Sequence, residues 1–123
     1  MLPEGSEFKT LILSKDETTK GFLKSLVEGE GWTLAEATGE SSVIEDLIKN
    51  KFDLLLIDFE TSGAIEICKQ IRANFSLRYL PVMVLIEKSR TIEKIKTIYA
   101  GADDYIEKPI ESKKILTHMK VNL

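Results

Sequence analysis

Charged side chains follow four apolar stretches of the chain, at the points where those stretches end. Asp16 follows the first stretch, Asp58 ends a continuous apolar run, and Glu87 and Lys108 follow two later stretches. Two facing carboxylates stay ionised together only when a cation lies nearby, and Mg²⁺ accepts one or two carboxylates while keeping other positions for water, backbone oxygen or phosphate. A lysine beside them can hold a phosphoryl oxygen as a point charge. These residue types indicate attack by a carboxylate on phosphorus.

The alternation of strands and helices along the chain is what can bring those side chains together. Five apolar stretches are predicted to be strands, and a segment with helical spacing of apolar residues follows each one. The strands are predicted at residues 8–14, 32–37, 52–57 and 81–86 and in a short run that ends at residue 106. Such alternation implies an α/β fold with a doubly wound parallel sheet, in which ligands collect at the carboxyl ends of the strands. We expect one domain over residues 1–123, with a loose N-terminal segment at residues 1–6.

The composition is that of an ordinary globular protein, with 43% hydrophobic and 30% charged residues. The chain has one cysteine, Cys68, so an internal disulfide is excluded, and it lacks the cluster of cysteines and histidines that a zinc site requires. The net charge of -3 gives no broad attraction to nucleic acid, so direct nucleic-acid binding is not expected. The sequence has no apolar run of bilayer length and no signal peptide pattern, which predicts a cytoplasmic protein without membrane contact. His118, the single histidine, is interpreted as a polar helix residue without a catalytic role.

Four segments of the chain resemble the receiver domain of bacterial two-component response regulators, an example of the flavodoxin-like fold. They occur in the family's order, and they read LILSKDE, FDLLLID, YLPVMVLIE and GADDYIEKPI. The resemblance implies that Asp58 accepts a phosphoryl group from a sensor histidine kinase or a phosphotransfer protein, and that Lys108 contacts that group. It implies Mg²⁺ held by Asp16, Asp58 and the backbone carbonyl of Glu60, and it makes Tyr105 the aromatic that changes rotamer on activation. It further implies a signalling domain that is not an enzyme, beyond self-phosphorylation from a phosphodonor and slow self-dephosphorylation.

The chain departs from the family pattern at several positions of this site. Lys15 replaces the first of two adjacent acids, which removes negative charge and predicts weaker Mg²⁺ affinity. Ile86 replaces a threonine or serine and cannot donate a hydrogen bond to a phosphoryl oxygen. Glu87 replaces a small residue and could obstruct access to Asp58. The loop after Asp58 is also shorter than in the family, which predicts a displaced Glu60 carbonyl.

Three functions remain open from the sequence. The first is a phosphoacceptor domain with weakened magnesium and switch machinery, and the second is a pseudo-receiver that acts as an interaction or dimerisation module without phosphate. Both allow a C-terminal output domain or a homodimer through the face formed by the fourth helix, fifth strand and fifth helix, where charges of both signs occur. The third is a nucleotide- or flavin-binding enzyme, which is disfavoured because no glycine-rich loop connects a strand to the following helix.

Overall fold

The computed structural model describes residues 8–61 and 63–122, so the loose segment predicted at residues 1–6 lies outside the described residues. Five strands and five helices alternate in these ranges, as the sequence predicts. The strands are β1 Lys9–Leu13, β2 Thr33–Glu36, β3 Leu54–Asp58, β4 Val82–Glu87 and β5 Asp104–Lys108. The helices are α1 Glu17–Gly29, α2 Val43–Lys49, α3 Ala64–Ala73, α4 Thr91–Ala100 and α5 Ser112–Val121. A single 3-10 turn, Phe59–Thr61, follows β3.

All strand pairs are parallel, and the strand order is β2-β1-β3-β4-β5. The chain therefore moves outward in one direction from β1 and in the other from β3, and these two strands are neighbours. A crevice forms where the winding direction changes, outside the carboxyl ends of the strands. Asp58, the last residue of β3, lies at this crevice. The predicted doubly wound α/β fold is confirmed.

Helices cover both faces of the sheet, which explains why the central strands are apolar on both sides. One core layer joins the sheet to α2 and α3, with Leu47, Ile67 and Ile71 among its buried residues. The other joins the sheet to α1 and α5 through residues such as Leu23 and Met119. Every residue of β3 is buried. The central strand thus provides a rigid base for the residue at its end.

Two local features fix the ends of elements near the charged residues. Asp16 is the N-cap of α1, where its side chain accepts a hydrogen bond from the Thr18 amide. Gly101 ends α4 with φ of 119°, a conformation that favours glycine. β5 extends two residues beyond the predicted end at Ile106, so Lys108 belongs to the strand itself.

Cys68 is fully buried on α3, which confirms its interpretation as a small apolar residue. Burial raises the pKa of its thiol to about 11. No helix within residues 8–61 and 63–122 has the length and apolar character needed to cross a membrane.

Candidate functional site at the carboxyl ends of the strands

Asp58 carries a carboxylate that is almost completely buried, with 1% of the residue exposed. Its Oδ1 accepts hydrogen bonds from the Lys108 Nζ at 2.8 Å and from the Glu60 amide at 3.2 Å. Its Oδ2 accepts a hydrogen bond from the Ser14 hydroxyl at 2.8 Å. A buried charge is tolerated only when it is paired and hydrogen-bonded, and these donors provide Asp58 with both kinds of contact. An ionised carboxylate is the form that can act as a nucleophile.

Lys108 supplies the positive charge of the site. It is the last residue of β5, opposite Glu87 of β4 in the strand register, and its side chain reaches Asp58 with only 14% of its surface exposed. The two central residues of the predicted site, Asp58 and Lys108, are therefore in direct contact. A lysine in this position can neutralise a phosphoryl oxygen next to the carboxylate.

Asp16 lies at the same edge of the sheet, but its carboxylate faces the first turn of α1. Its Oδ1 accepts the Thr18 amide at 3.1 Å and its Oδ2 accepts the Thr19 hydroxyl at 2.7 Å. The Thr19 hydrogen bond is the largest cause of a lowered pKa of Asp16, which keeps this exposed carboxylate ionised. The Asp16 amide, in turn, donates to the Ser14 hydroxyl oxygen at 3.1 Å, which links Asp16 to Asp58 through one side chain.

The predicted magnesium ligands match the metal in type, because carboxylate and carbonyl oxygens are the ligands that Mg²⁺ prefers. Both oxygens of Asp16 and both oxygens of Asp58 already accept hydrogen bonds from the chain. No group of three or more acidic, histidine or cysteine side chains suited to a metal occurs among the described residues. Mg²⁺ would thus have to compete with internal donors for the ligands that the sequence predicts.

Glu60 lies in the 3-10 turn after β3, and its contacts there involve its amide and its side chain. The amide donates to Asp58, and the carboxylate forms an ion pair with Arg90 at 2.9 Å. The Arg90 guanidinium also lies 5.5 Å from the centre of the Phe59 ring. These contacts fix the short loop against the start of α4. The role of the Glu60 carbonyl as a metal ligand stays a prediction.

The residues that depart from the family pattern occupy three different environments. Lys15 is exposed to solvent. The hydrogen bonds described above for the Asp58 carboxylate come from Ser14, Lys108 and the Glu60 amide. Ile86 is fully buried in the core layer that contains α2 and α3, so an apolar side chain occupies the end of β4. Glu87 is exposed one residue further along.

Tyr105 is half-buried against the same core layer as Ile86. The Lys94 Nζ lies 5.5 Å from the centre of the Tyr105 ring. This ammonium also donates to the Lys88 carbonyl at 2.9 Å and to the Glu107 carboxylate at 2.6 Å. Tyr105 is consequently covered by a lysine that is itself fixed at two other points.

Ser14 contacts Asp58, and the sequence did not predict this contact. It lies one residue beyond the paired Leu13 and Ile57 of β1 and β3, and 8% of it is exposed. The sequence signal that could have identified Ser14 is its position. It is a hydroxyl residue at the end of the predicted first strand and lies two residues before Asp16. A serine at a strand end also commonly bonds to a turn, so position alone did not assign it to Asp58.

A family profile described as the response regulator receiver domain matches residues 11–120. The chain belongs to the response regulator receiver family. Receiver domains are signalling domains of two-component systems, and phosphorylation of an aspartate is general in the family. The match spans the β1 to α5 region that builds the Asp58 site.

Curated relatives support this assignment. The chain is 27% identical over 124 residues to the transcriptional regulatory protein ResD of Bacillus subtilis, covering 99% of this chain and 50% of the relative. It is 29% identical over 117 residues to the response regulator ArlR of Staphylococcus saprophyticus, covering 94% of this chain and 52% of the relative. This receiver domain thus spans about half the length of the curated relatives it matches.

Solved structures share the same architecture. A putative response regulator from Chloroflexus aurantiacus superposes with a TM-score of 0.90 at 26% identity, covering 95% of this chain and 98% of that one. The receiver domain of a Pseudomonas aeruginosa sensor histidine kinase superposes with a TM-score of 0.84 at 14% identity, covering 94% and 97%. That protein holds a magnesium ion in its active site cleft. At 14% identity, this second likeness concerns the fold alone.

Proposed function

We propose that this receiver domain accepts a phosphoryl group on Asp58 from the phosphohistidine of a sensor histidine kinase or phosphotransfer protein. The contact between the buried Asp58 carboxylate and the Lys108 ammonium, 2.8 Å long, is the observation that carries this proposal. It combines a nucleophile with a cation that can neutralise the incoming group. Transfer by this route fits a signalling domain whose own chemistry is limited to gaining and slowly losing the phosphoryl group.

In the proposed transfer, an oxygen of Asp58 attacks phosphorus and forms a P–O bond while the P–N bond of the phosphohistidine breaks. The electron pair of that bond stays with the imidazole nitrogen, which takes up a proton from solvent. Lys108 stabilises the negative charge on the phosphoryl oxygens. Because Asp58 is buried and held by Ser14 and the Glu60 amide, its carboxylate is oriented before the donor arrives.

Asp16, Asp58 and the Glu60 carbonyl are the groups that we propose for Mg²⁺. When bound, the ion supplies positive charge next to the phosphoryl oxygens. Its affinity is expected to be weak, because the side chains of Ser14, Thr19 and Lys108 already occupy the carboxylates. The positive charge of the nearby Lys15 lowers the affinity further.

The transmission of phosphorylation to α4 is also expected to be weak. Ile86 offers no hydroxyl to a phosphoryl oxygen, and Lys94 and the core layer hold Tyr105 in place. Glu87 is exposed, and the obstruction of Asp58 by its side chain stays a prediction.

Acetyl phosphate in the presence of Mg²⁺ tests the proposal directly. We expect intact-protein mass spectrometry to detect one added phosphoryl group, and peptide mapping after reduction of the acyl phosphate to place it on Asp58. Asp58→Asn is the matched control and should gain none, and Lys108→Ala should gain it much more slowly, by about tenfold or more. Absence of any adduct on the unaltered protein over the range of 1–50 mM Mg²⁺, which is roughly the span needed for weak carboxylate sites, would overturn the proposal.

A second candidate function is an interaction module that does not need phosphate, and one observation favours it. The exposed surface of α4 includes an apolar stripe, with Ile92 62%, Ile95 53%, Ile98 42% and Tyr99 88% exposed. Exposed apolar clusters of this kind mark protein contacts. We propose that this stripe, rather than the mixed charges of the same face, pairs two copies of the domain or contacts a C-terminal output domain.

A further inference from the structure

We propose that Ser14 reads the phosphorylation state of Asp58 and transmits it to the start of α1; this rests on the proposed phosphorylation of Asp58. The position from which a hydroxyl could report at the end of β4 is occupied by the buried Ile86. The Ser14 hydroxyl reaches the Asp58 carboxylate from the other side of β3, because Ser14 follows β1 and β1 pairs with β3 on the side away from β4. The route of the signal is therefore predicted to run through β1 and α1 instead of β4 and α4.

The Ser14 hydroxyl takes part in two directed hydrogen bonds. A serine hydroxyl has one hydrogen to donate, and here it goes to the Asp58 Oδ2 at 2.8 Å. Its oxygen accepts the Asp16 amide at 3.1 Å. The side chain is also buried, so water does not readily replace either partner. A change in the acceptor at Asp58 must therefore alter the bond to Asp16.

Phosphorylation changes that acceptor whichever oxygen of Asp58 forms the bond to phosphorus. The carboxylate shares a full negative charge over two oxygens, whereas the acyl phosphate leaves an uncharged acyl carbonyl and bridging oxygen and places the charge on phosphoryl oxygens. A hydrogen bond to a charged acceptor is roughly twice as strong as one between neutral groups. Because a hydroxyl rotates about a single bond, Ser14 is expected to turn from the uncharged acyl oxygen toward a phosphoryl oxygen.

Asp16 connects this movement to the helix. It is the N-cap of α1, and its carboxylate holds the Thr18 amide and the Thr19 hydroxyl in the first turn. A shift of the Ser14 oxygen moves or weakens its hydrogen bond with the Asp16 amide. The position of Asp16 in turn sets the geometry of the N-cap of α1. We therefore expect the first turn of α1 to respond to phosphorylation, while the start of α4 responds little.

Amide NMR spectra test this route, with beryllofluoride and MgCl₂ as the phosphoryl mimic. In the unaltered protein we expect addition of the mimic to shift the amides of Asp16 and Thr18. In Ser14→Ala the shifts of the Asp16 and Thr18 amides that the mimic causes should fall to less than about half of their size in the unaltered protein, because no hydroxyl then links Asp58 to the Asp16 amide. Ser14→Thr retains a hydroxyl and should restore most of their size. Ser76→Ala changes an exposed serine before β4, at the other end of the sheet, and should leave the shifts of the Asp16 and Thr18 amides unchanged.

The outcomes separate this inference from the function on which it rests. Fluorine NMR reports whether beryllofluoride binds at all, and an absence of binding, together with an absence of acetyl phosphate labelling, refutes both. Binding with an unchanged Asp16 and Thr18 response in Ser14→Ala refutes the role of Ser14 alone. A merely structural Ser14 would alter the spectrum before beryllofluoride is added but leave the mimic-induced difference intact, so this result also counts against the inference.

Discussion

Asp58 keeps a buried negative charge because both of its oxygens accept hydrogen bonds from the chain. The Lys108 ammonium is itself mostly buried, so each charge offsets the cost of burying the other. Removing one partner of such a pair leaves an uncompensated buried charge, which is more costly than losing an exposed ion pair. Asp58 and Lys108 are consequently expected to contribute to stability as one unit.

The charge at position 15 is expected to control magnesium affinity. Lys15→Asp changes the local charge by two units beside Asp16 and Asp58, so we expect it to tighten Mg²⁺ binding by about tenfold or more. Titration of MgCl₂ while amide resonances are followed measures the dissociation constant. Trp32 is a poor reporter for this purpose, since it packs edge-on against Phe8 at the other end of the sheet, with ring centres 5.0 Å apart.

Lys51→Asp provides the matched control for Lys15→Asp. It makes the same change in net charge at an exposed position before β3, at the opposite edge of the sheet. Its effect on Mg²⁺ affinity should be small, because exposed charges beyond roughly 10 Å are largely screened at 0.1 M salt. Equal affinities for Lys15→Asp and the unaltered protein would show that the lysine is not what weakens the site.

The residues that contact Asp58 were predictable to different degrees. Asp58 and Lys108 end strands of a parallel sheet, and the sequence places such residues at one edge. Ser14 was missed because a hydroxyl at a strand end has several possible partners, and the register of β1 against β3 decides among them. The orientation of Asp16 was equally hidden, since an aspartate before a helix suits both an N-cap and a metal ligand.

At the scale of elements, Lys94 ties α4 to β5. It joins the Lys88 carbonyl, the Glu107 carboxylate and the ring of Tyr105, and only 12% of its side chain is exposed. α4 otherwise buries only Thr97 and Ala100, both small residues. With so little apolar surface buried, this helix is expected to gain part of its attachment to β5 from Lys94.

The contribution of Glu107 to stability should depend on pH. The hydrogen bond from Lys94 is the main cause of a lowered pKa of Glu107, so the folded state favours the ionised carboxylate. Stabilisation from a lowered pKa is present above the pKa of the unfolded state and is lost as the pH falls through the pKa of the folded state. The unaltered protein should therefore unfold at higher urea than Glu107→Gln at pH 7, and this difference should shrink by about pH 3.

Glu66→Gln is the matched control for this measurement, because Glu66 is an exposed glutamate on α3. Its urea midpoint should follow that of the unaltered protein at both pH values. A difference for Glu107→Gln that stays constant with pH would mean that the carboxylate charge is not what holds α4 to β5.

The order and type of the elements followed from the sequence, whereas the contacts between α4 and β5 did not. Apolar spacing has a different period in helices and strands, and this period is a local property. The pairing of Lys94 with Glu107 depends on how α4 packs, that of Arg72 with Asp103 on how α3 packs, and that of His118 with Asp104 on how α5 packs. The face formed by α4, β5 and α5 carries charges of both signs, and several of them, such as Lys94, Glu107 and Asp104, are thus engaged within the domain.

At the scale of the whole molecule, α4 differs from α1, α3 and α5 in how much of its apolar surface is buried. α1, α3 and α5 each bury two to four apolar residues against the core, whereas α4 turns three isoleucines outward. Their spacing of three residues places them on one side of the helix. The proposed phosphorylation site and the apolar stripe on α4 are formed by different residues.

Self-association through this stripe predicts a concentration-dependent mass. Analytical ultracentrifugation should detect species heavier than the 13.9 kDa monomer as the concentration rises. Ile95→Glu places a charge within the stripe and should weaken the association by about tenfold or more, because a charged group is costly to bury in an apolar contact. Ile48→Glu makes the same change on α2, where Ile48 is 55% exposed, and should leave association unchanged.

The salt dependence distinguishes an apolar contact from one made by charges. Pairing through isoleucines should persist or strengthen at 1 M NaCl, because the Debye length falls to roughly 3 Å and screening acts on charges alone. Pairing through the charges of α4 and α5 should weaken under the same conditions. If the unaltered protein is monomeric at both salt concentrations, the stripe does not join two copies, and a covalently linked or separate output domain is then the partner to test against Ile95→Glu.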